Sequence, residues 1–342
     1  MGPTPPPGPQ KIMEMASGLW VSKTLSVALD IGLFDALAER PGSTTAQLAA
    51  HLGLEERPAR SLIIACAALG LVTKKGGECF NSPLSAQYLV RSAPEYFGGW
   101  IEMLERHSYP GWMRLADAVR TNRPTSWDAD RQQSLFDGAG PVVLETFWEA
   151  MCAVSSVTAR EFAAHVDLSD SKALLDVGGG GAAWDIELCR SYPRLRAAVY
   201  DLPFVCRLTE PKIEKAGLSE RITAVVGDLF ADARLPEGFD TILLSSILHD
   251  WDDPTNGTIL TKCFTALPPG GQLIISELFV DDGEEGPLDA ALMGLAMQVE
   301  AWGHGLTIPE VIAWLAEVGF TDMRTERFAA PTANAVVIAR RP

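Results

Sequence analysis

Chemistry in this chain is concentrated at a few strand-like runs that end in glycine, aspartate or histidine. The segment Leu174-Leu175-Asp176-Val177-Gly178-Gly179-Gly180-Gly181-Ala182 runs from an apolar stretch into four glycines and then a helix-like segment. Glycines there let the backbone approach a ligand where any side chain would collide. A second run ends at Tyr200-Asp201-Leu202-Pro203, placing an acid where a ribose diol would hydrogen-bond, at roughly the spacing of a nucleotide fingerprint. A third ends at Gly227-Asp228-Leu229-Phe230, with a carboxylate able to accept the adenine amino proton. A fourth ends at His249-Asp250-Trp251, where an indole can cover an adenine face. The dinucleotide pattern G-x-G-x-x-G/A competes, since Gly178, Gly180 and Ala183 fit it. The three tips together favour S-adenosylmethionine.

These groups need a scaffold. From residue 173 the runs ALLDVGGG, AAVYDLP, ITAVVGDLF, DTILLSSILHD and GQLIISELF alternate with helix-like segments. That alternation predicts an α/β fold, a doubly wound Rossmann-like parallel sheet over 166–342. A last helix and two further strands would form an antiparallel edge. Residues 96–165 read as helices rich in large side chains, and Trp100, Trp112, Phe147, Trp148 and Met151 suit the wall of an apolar pocket. Over 11–95, a continuous helix is expected from Lys11 to Leu37. The segment TAQLAAHLGL, the helix ERPARSLIIACAALGLV and a hairpin around Lys74-Lys75-Gly76-Gly77 then follow in winged-helix order. The Pro-rich residues 1–10 read as a disordered leader.

Composition narrows the partners. The 342 residues carry a formal charge of −16, which repels phosphate backbones and anionic lipid. The second helix offers only Arg57 and Arg60, flanked by Glu55 and Glu56. Dimerisation is therefore the better use of the winged helix, and neither nucleic acid nor membrane is an expected partner. Six scattered cysteines without a C-x-x-C pair point to reduced thiols in a cytoplasmic protein. No apolar run approaches the ~20 residues needed to span a bilayer.

The motifs DVGGGGAAW, YDLP, GDLF, LLSSILHDWDD, LIISELFVDD and AEVGF resemble, in order, those of plant caffeate-type and bacterial antibiotic-pathway O-methyltransferases. The resemblance implies an S-adenosylmethionine-dependent small-molecule methyltransferase, homodimeric through its N-terminal domain. It implies that Gly178 and Gly180 contact the methionine part of the cofactor and Ser155 its methionine end, with Asp176 also a cofactor-binding residue. Asp201 and Leu202 would bind the ribose, Asp228, Leu229 and Phe230 the adenine, and Trp251 would stack on it. Ser245 stands where plant members have a lysine near the cofactor. His249 matches the base that removes a phenol proton, and Glu277 matches the first of two orienting glutamates.

The second glutamate belongs to a segment G-G-[RK]-E-R-T, which here reads Trp302-Gly303-His304-Gly305-Leu306-Thr307. A carboxylate is lost and an imidazole gained. With only five histidines in the chain, His249 and His304 are expected to hold a metal, iron or zinc. Glu300 and Gln298 are candidate third ligands, and Gln298 is also a candidate substrate contact. The replacement resembles a smaller, metal-dependent branch that C-methylates α-keto acids beside the keto group. Arg131 would grip the acid's carboxylate. C-methylation in secondary metabolism is thus the leading expectation. The alternative is a metal-free O-methyltransferase of a phenolic or polyketide metabolite, with His249 as base oriented by Asp250 or Glu277. A regulator that senses the cofactor and binds DNA is a third reading, opposed by the charge. His304 as a surface residue and Arg131 as a solvated charge are the plainer alternatives. His51, His107 and His165 are read as surface or core residues, although His107 sits in an aromatic stretch.

Overall fold

In the computed structural model, residues 8–132 and 141–342 are described, and the chain forms two compact units, Met1–Glu105 and Arg106–Pro342. The first seven residues of the expected leader lie outside the described residues.

The N-terminal unit is helical with a small wing. The continuous helix expected from Lys11 to Leu37 is instead three helices, Gln10–Ala16, Gly18–Asp30 and Leu33–Glu39. Ser17 makes the first break, its hydroxyl donating to the Met13 carbonyl at 2.8 Å. Gly32 makes the second, in the left-handed region at φ 74°, which costs glycine nothing and other residues about 1–2 kcal/mol. Helix Thr45–Leu52 opens with a reciprocal cap between Thr44 and Gln47. Helix Glu56–Ala68 leads into β2 (Val72–Lys75) and β3 (Glu78–Asn81), and β1 (Ser43–Thr44) pairs with β3. Gly76 and Gly77 turn that hairpin, both at positive φ. Leu29, Phe34, Leu48, Ile63, Cys66 and Cys79 close the core. By contrast, Ile12, Met13, Met15, Leu19 and Trp20 are exposed, Trp20 to 74 %.

The C-terminal unit is built on a seven-stranded sheet: β4 (Ala173–Val177), β5 (Arg196–Asp201), β6 (Ile222–Val226), β7 (Thr241–Ser245), β8 (Gln272–Glu277), β9 (Thr321–Arg327) and β10 (Ala335–Arg340). Their order is β6-β5-β4-β7-β8-β10-β9. The first five strands in sequence are parallel, and β10 runs antiparallel to both neighbours. Strand periodicity explains the two cores. Leu175, Ile242 and Ile275 face helices Asp253–Ala266 and Ile308–Val318, while Leu174, Leu243 and Ile274 face helices Pro141–His165 and Ala183–Ser191. Sequence direction reverses between β4 and β7, the switch point where open α/β sheets bind ligands. No helix among the described residues is long and apolar enough to cross a membrane.

Candidate active site

At the β4 tip the backbone itself forms the surface. Gly178 N–H donates to the Tyr200 carbonyl at 2.8 Å, and Gly180 N–H to Asp201 Oδ2 at 2.9 Å. Gly178 and Gly180 have φ of 72° and 57°. A Cβ on Gly178 would lie 2.5 Å from Ile247 Cδ1, so a side chain there is strained by its torsion and would require Ile247 to shift. Trp148 packs over Gly180, edge-on to Phe204 at 5.4 Å. Cys152 donates to the Gly181 carbonyl at 3.3 Å.

Asp176 lies beneath this loop rather than on its open face. It is 1 % exposed, its carboxyl is under Gly179, and it neighbours the fully buried Asp185. Burial, then the Asp185 charge, holds Asp176 well above the usual carboxylate range. Burial likewise pushes Asp185 up to about 6. Two neighbouring buried carboxyls disfavour holding both charges at once.

At the β5 tip, Asp201 Oδ1 accepts from Leu202 N–H at 2.7 Å while Oδ2 accepts from Gly180. Burial pushes Asp201 up to about 6 against these two donors. At the β6 tip, Asp228 Oδ1 accepts from Phe230 N–H at 2.8 Å and Ala231 N–H at 3.0 Å. Asp232 ties this turn down by accepting from Tyr200 Oη and Asp228 N–H, and Lys262 caps the Leu229 and Asp232 carbonyls. Phe230 and Trp251 meet with ring centroids 4.4 Å apart. A glycine cradle, an acid at the β5 tip and a paired aromatic lip fit S-adenosylmethionine.

The β7 and β8 ends carry the proton chemistry. After Ser245 the chain turns through Ser246 at φ 56° into the short 3-10 turn Leu248–Asp250. Glu277, the last residue of β8 and 1 % exposed, accepts from Ile247 N–H at 3.1 Å and Leu248 N–H at 3.0 Å through Oε1. Its Oε2 is 2.5 Å from His249 Nδ1. The imidazole is thus held with its Nδ1 proton on Glu277 and Nε2 turned to Asp250, whose Oδ1 is 3.6 Å away. Burial pulls the His249 pKa down, but the charges of Glu277, Asp250 and Glu300 outweigh it and raise it to about 9. Burial raises Asp250 to about 6 against the pull of His249.

His304 does not join His249. Its Nδ1 is 3.0 Å from the Gly305 carbonyl and its Nε2 is 3.0 Å from Asp253 Oδ1, so both nitrogens are already engaged. Among the described residues no group of three His, Cys, Asp or Glu side chains is arranged to hold a metal ion. The expected metal pair is therefore corrected. The proximity of His304 to the HDW motif in space is real but runs through backbone: a Cβ on Gly303 would sit 1.9 Å from the His249 carbonyl oxygen. Gly305, at the position of the missing glutamate, packs against Gly294 and Val280, with its Cβ site 3.3 Å and 3.1 Å from them.

Gln298 donates to the Gly303 carbonyl at 3.2 Å and holds that loop. It shares with His304, Thr307 and Glu310 a groove of about 380 Å³. Arg131 is exposed and paired with Asp128 at 3.5 Å, three residues away, rather than pointing into a pocket. Met151 and Ser155 are half-buried on helix Pro141–His165, the helix that also carries Trp148. Trp100 is half-buried in helix Gly98–Met103 of the N-terminal unit. Glu300, weighed only as a metal ligand, carries a carboxyl within electrostatic reach of both His249 and Asp250. Its place at a helix end, three residues before Gly303, was the available signal.

Comparison with known proteins gives these features a family. Residues 112–321 match the O-methyltransferase domain and residues 13–91 the O-methyltransferase dimerisation domain. The 3-hydroxy-5-methyl-1-naphthoate 3-O-methyltransferase of Streptomyces sahachiroi is 46% identical over 98% of this chain and 96% of its own length. The tetracenomycin polyketide synthesis 8-O-methyl transferase TcmO of Streptomyces glaucescens is 29% identical, covering 98% and 97%. The human N-acetylserotonin methyltransferase, solved with S-adenosylmethionine, superposes with a TM-score of 0.88 at 29% identity, covering 100% of this chain and 99% of that one. These relatives overturn the expected α-keto acid C-methylation, which had rested on a metal at His304. The chain belongs to the O-methyltransferase family and is an S-adenosylmethionine-dependent methyltransferase with an N-terminal dimerisation domain.

Proposed function

We propose that this enzyme methylates a hydroxyl of an aromatic, polyketide-type small molecule, without a metal and with His249 as the base. The observation that carries the reading is the 2.5 Å contact between His249 Nδ1 and Glu277, whose other oxygen is pinned by two backbone amides. An imidazole so oriented takes a proton at Nε2, and the buried carboxylate stabilises the imidazolium that results. S-adenosylmethionine, when bound, supplies a methyl group made electrophilic by its sulfonium. Gly178 and Gly180 would hold its methionine part, with Ser155. Asp201 and Leu202 would hold the ribose, and Asp228, Leu229, Phe230 and Trp251 the adenine. Ser245, half-buried at the end of β7, would lie beside them, and Met151 would wall the acceptor. The names of the Streptomyces relatives, one a naphthoate and one a tetracenomycin methyltransferase, support a fused-ring acceptor from secondary metabolism.

We also assign the exposed apolar side chains of the first two helices to a homodimer contact, because an apolar surface of this kind needs a cover. The test of the reaction is methyl transfer from carbon-13-labelled cofactor to hydroxynaphthoates, read by NMR. A methoxy signal is expected. Methyl bonded to ring or side-chain carbon, or activity abolished by a chelator, would sink the reading.

A further inference from the structure

The glycine loop after β4 carries a cation that the site as described leaves unused. Helix Pro203–Lys215 follows β5 and turns one face toward the loop, where Thr209 Oγ donates to the Gly180 carbonyl at 2.6 Å. Lys212, three residues on, shares that face. A Cβ on Gly181 would stand 3.2 Å from Lys212 Nζ and 3.3 Å from its Cδ, so the aliphatic stem lies along the loop and carries the ammonium to it. Helix Pro141–His165 closes in from the other side. Trp148 packs over Gly180, and Cys152, one turn later, donates to the Gly181 carbonyl and has Lys212 as the strongest charge acting on it. Lys212 is half-buried and forms no ion pair among the described residues. Helix Ala183–Ser191 starts at the same point without a side-chain cap, so its first N–H groups add to the positive charge the lysine brings.

We infer that Lys212 pairs with the α-carboxylate of the cofactor's methionine and so makes the enzyme select S-adenosylmethionine over its decarboxylated form. This rests on the proposed seat of the methionine part against Gly178, Gly180 and Ser155. The cofactor has two cationic groups, the sulfonium and the ammonium, and one anionic group, the carboxylate. The acids around the loop, Asp176, Asp185 and Asp201, sit in a chain of net charge −16. They attract the two cations and repel the anion. A loop bordered by those acids alone would favour a cofactor that had lost its carboxylate. A half-buried ammonium reverses that preference, because an ion pair shielded from solvent is worth more than an exposed one.

The experiment measures dissociation constants by calorimetry, without acceptor, for S-adenosylmethionine and decarboxylated S-adenosylmethionine. It uses wild type, Lys212→Met, Lys212→Arg and Gly178→Val, with folding checked by circular dichroism. Wild type is expected to bind the carboxylated cofactor more tightly by about ten- to a hundredfold. Lys212→Met should bring the two ligands within about threefold of each other, and Lys212→Arg should restore most of the gap. No gap in wild type, or a gap that Lys212→Met leaves unchanged, overturns the inference. Equal weakening of both ligands in Lys212→Met also overturns it, since the lysine then serves the packing of the loop. If Lys212→Met fails to fold, Lys212→Gln takes its place and the same outcomes decide. Where Gly178→Val weakens binding and the lysine variants do not, the inference falls alone. Where none of these variants weakens binding, the proposed methionine seat falls with it.

Discussion

The two halves of the site are made of different material. At the β4 tip the surface is main chain: Gly178 and Gly180 in left-handed torsions, amides spent on Tyr200 and Asp201, and a Cβ crowded by Ile247 at the first and Trp148 at the second. At the β7 and β8 ends it is side chain: one imidazole clasped by Glu277 and flanked by Asp250 and Glu300. A backbone surface binds whatever matches its shape and has no titratable group of its own. A surface of one base and three acids holds its function in its protonation state, and a change of one carboxyl alters the reaction before it alters the fold.

The sharpest way to test that division is to remove the base. His249→Ala should lower kcat by about 10²–10⁴ while the dissociation constant for S-adenosylmethionine, measured by calorimetry, stays the same. A matching loss of cofactor affinity would break the comparison. Glu277→Gln should come next, at about 10²-fold in kcat, because it removes the carboxylate that orients and charges the ring.

The same variant gives a pH signature. The His249 pKa is raised to about 9 from 6.5, so its pairing stabilises the fold fully below pH 6.5 and that contribution disappears as pH rises through about 9. Activity runs the opposite way, since only the neutral ring accepts a proton. The kcat/KM of wild type should climb toward pH 9, and Glu277→Gln should move the climb to lower pH. An unmoved limb would assign it to another group.

On the backbone side, Gly178→Val should weaken cofactor binding by about ten- to a hundredfold, from a left-handed torsion costing roughly 1–2 kcal/mol and the collision with Ile247, with the pH limb in place. The smallest effect is expected at His304. His304→Gln, or extended dialysis against a chelator, should change kcat/KM by less than about twofold, since loss of the exposed partner Asp253 is a surface event. A larger drop on chelation would restore a metal to the site.

These differences follow what a linear chain can display. The glycine run after β4, and the acids after β5 and β6, were legible as strand-end features because each pattern belongs to one short segment. The antiparallel last strand was legible too. The single helix expected from Lys11 to Leu37 was not, because the breaks depend on the Ser17 hydroxyl and one glycine torsion within an unbroken apolar pattern. The place of Arg131 was not legible for a similar reason: a charge in a pocket and a charge paired with Asp128 have the same local sequence.

The amino-acid order alone determined the sheet, the switch point and the cofactor class, since alternation of period two and glycine at strand ends are local consequences of backbone sterics. Only the folded chain decided the reacting half. Which histidine nitrogen is free, whether His304 reaches His249, and that Glu300 stands beside Asp250 depend on segments far apart in sequence meeting within a few ångströms. Electrostatic effects at such distances change steeply in size with a partner's placement, and no local pattern records that placement.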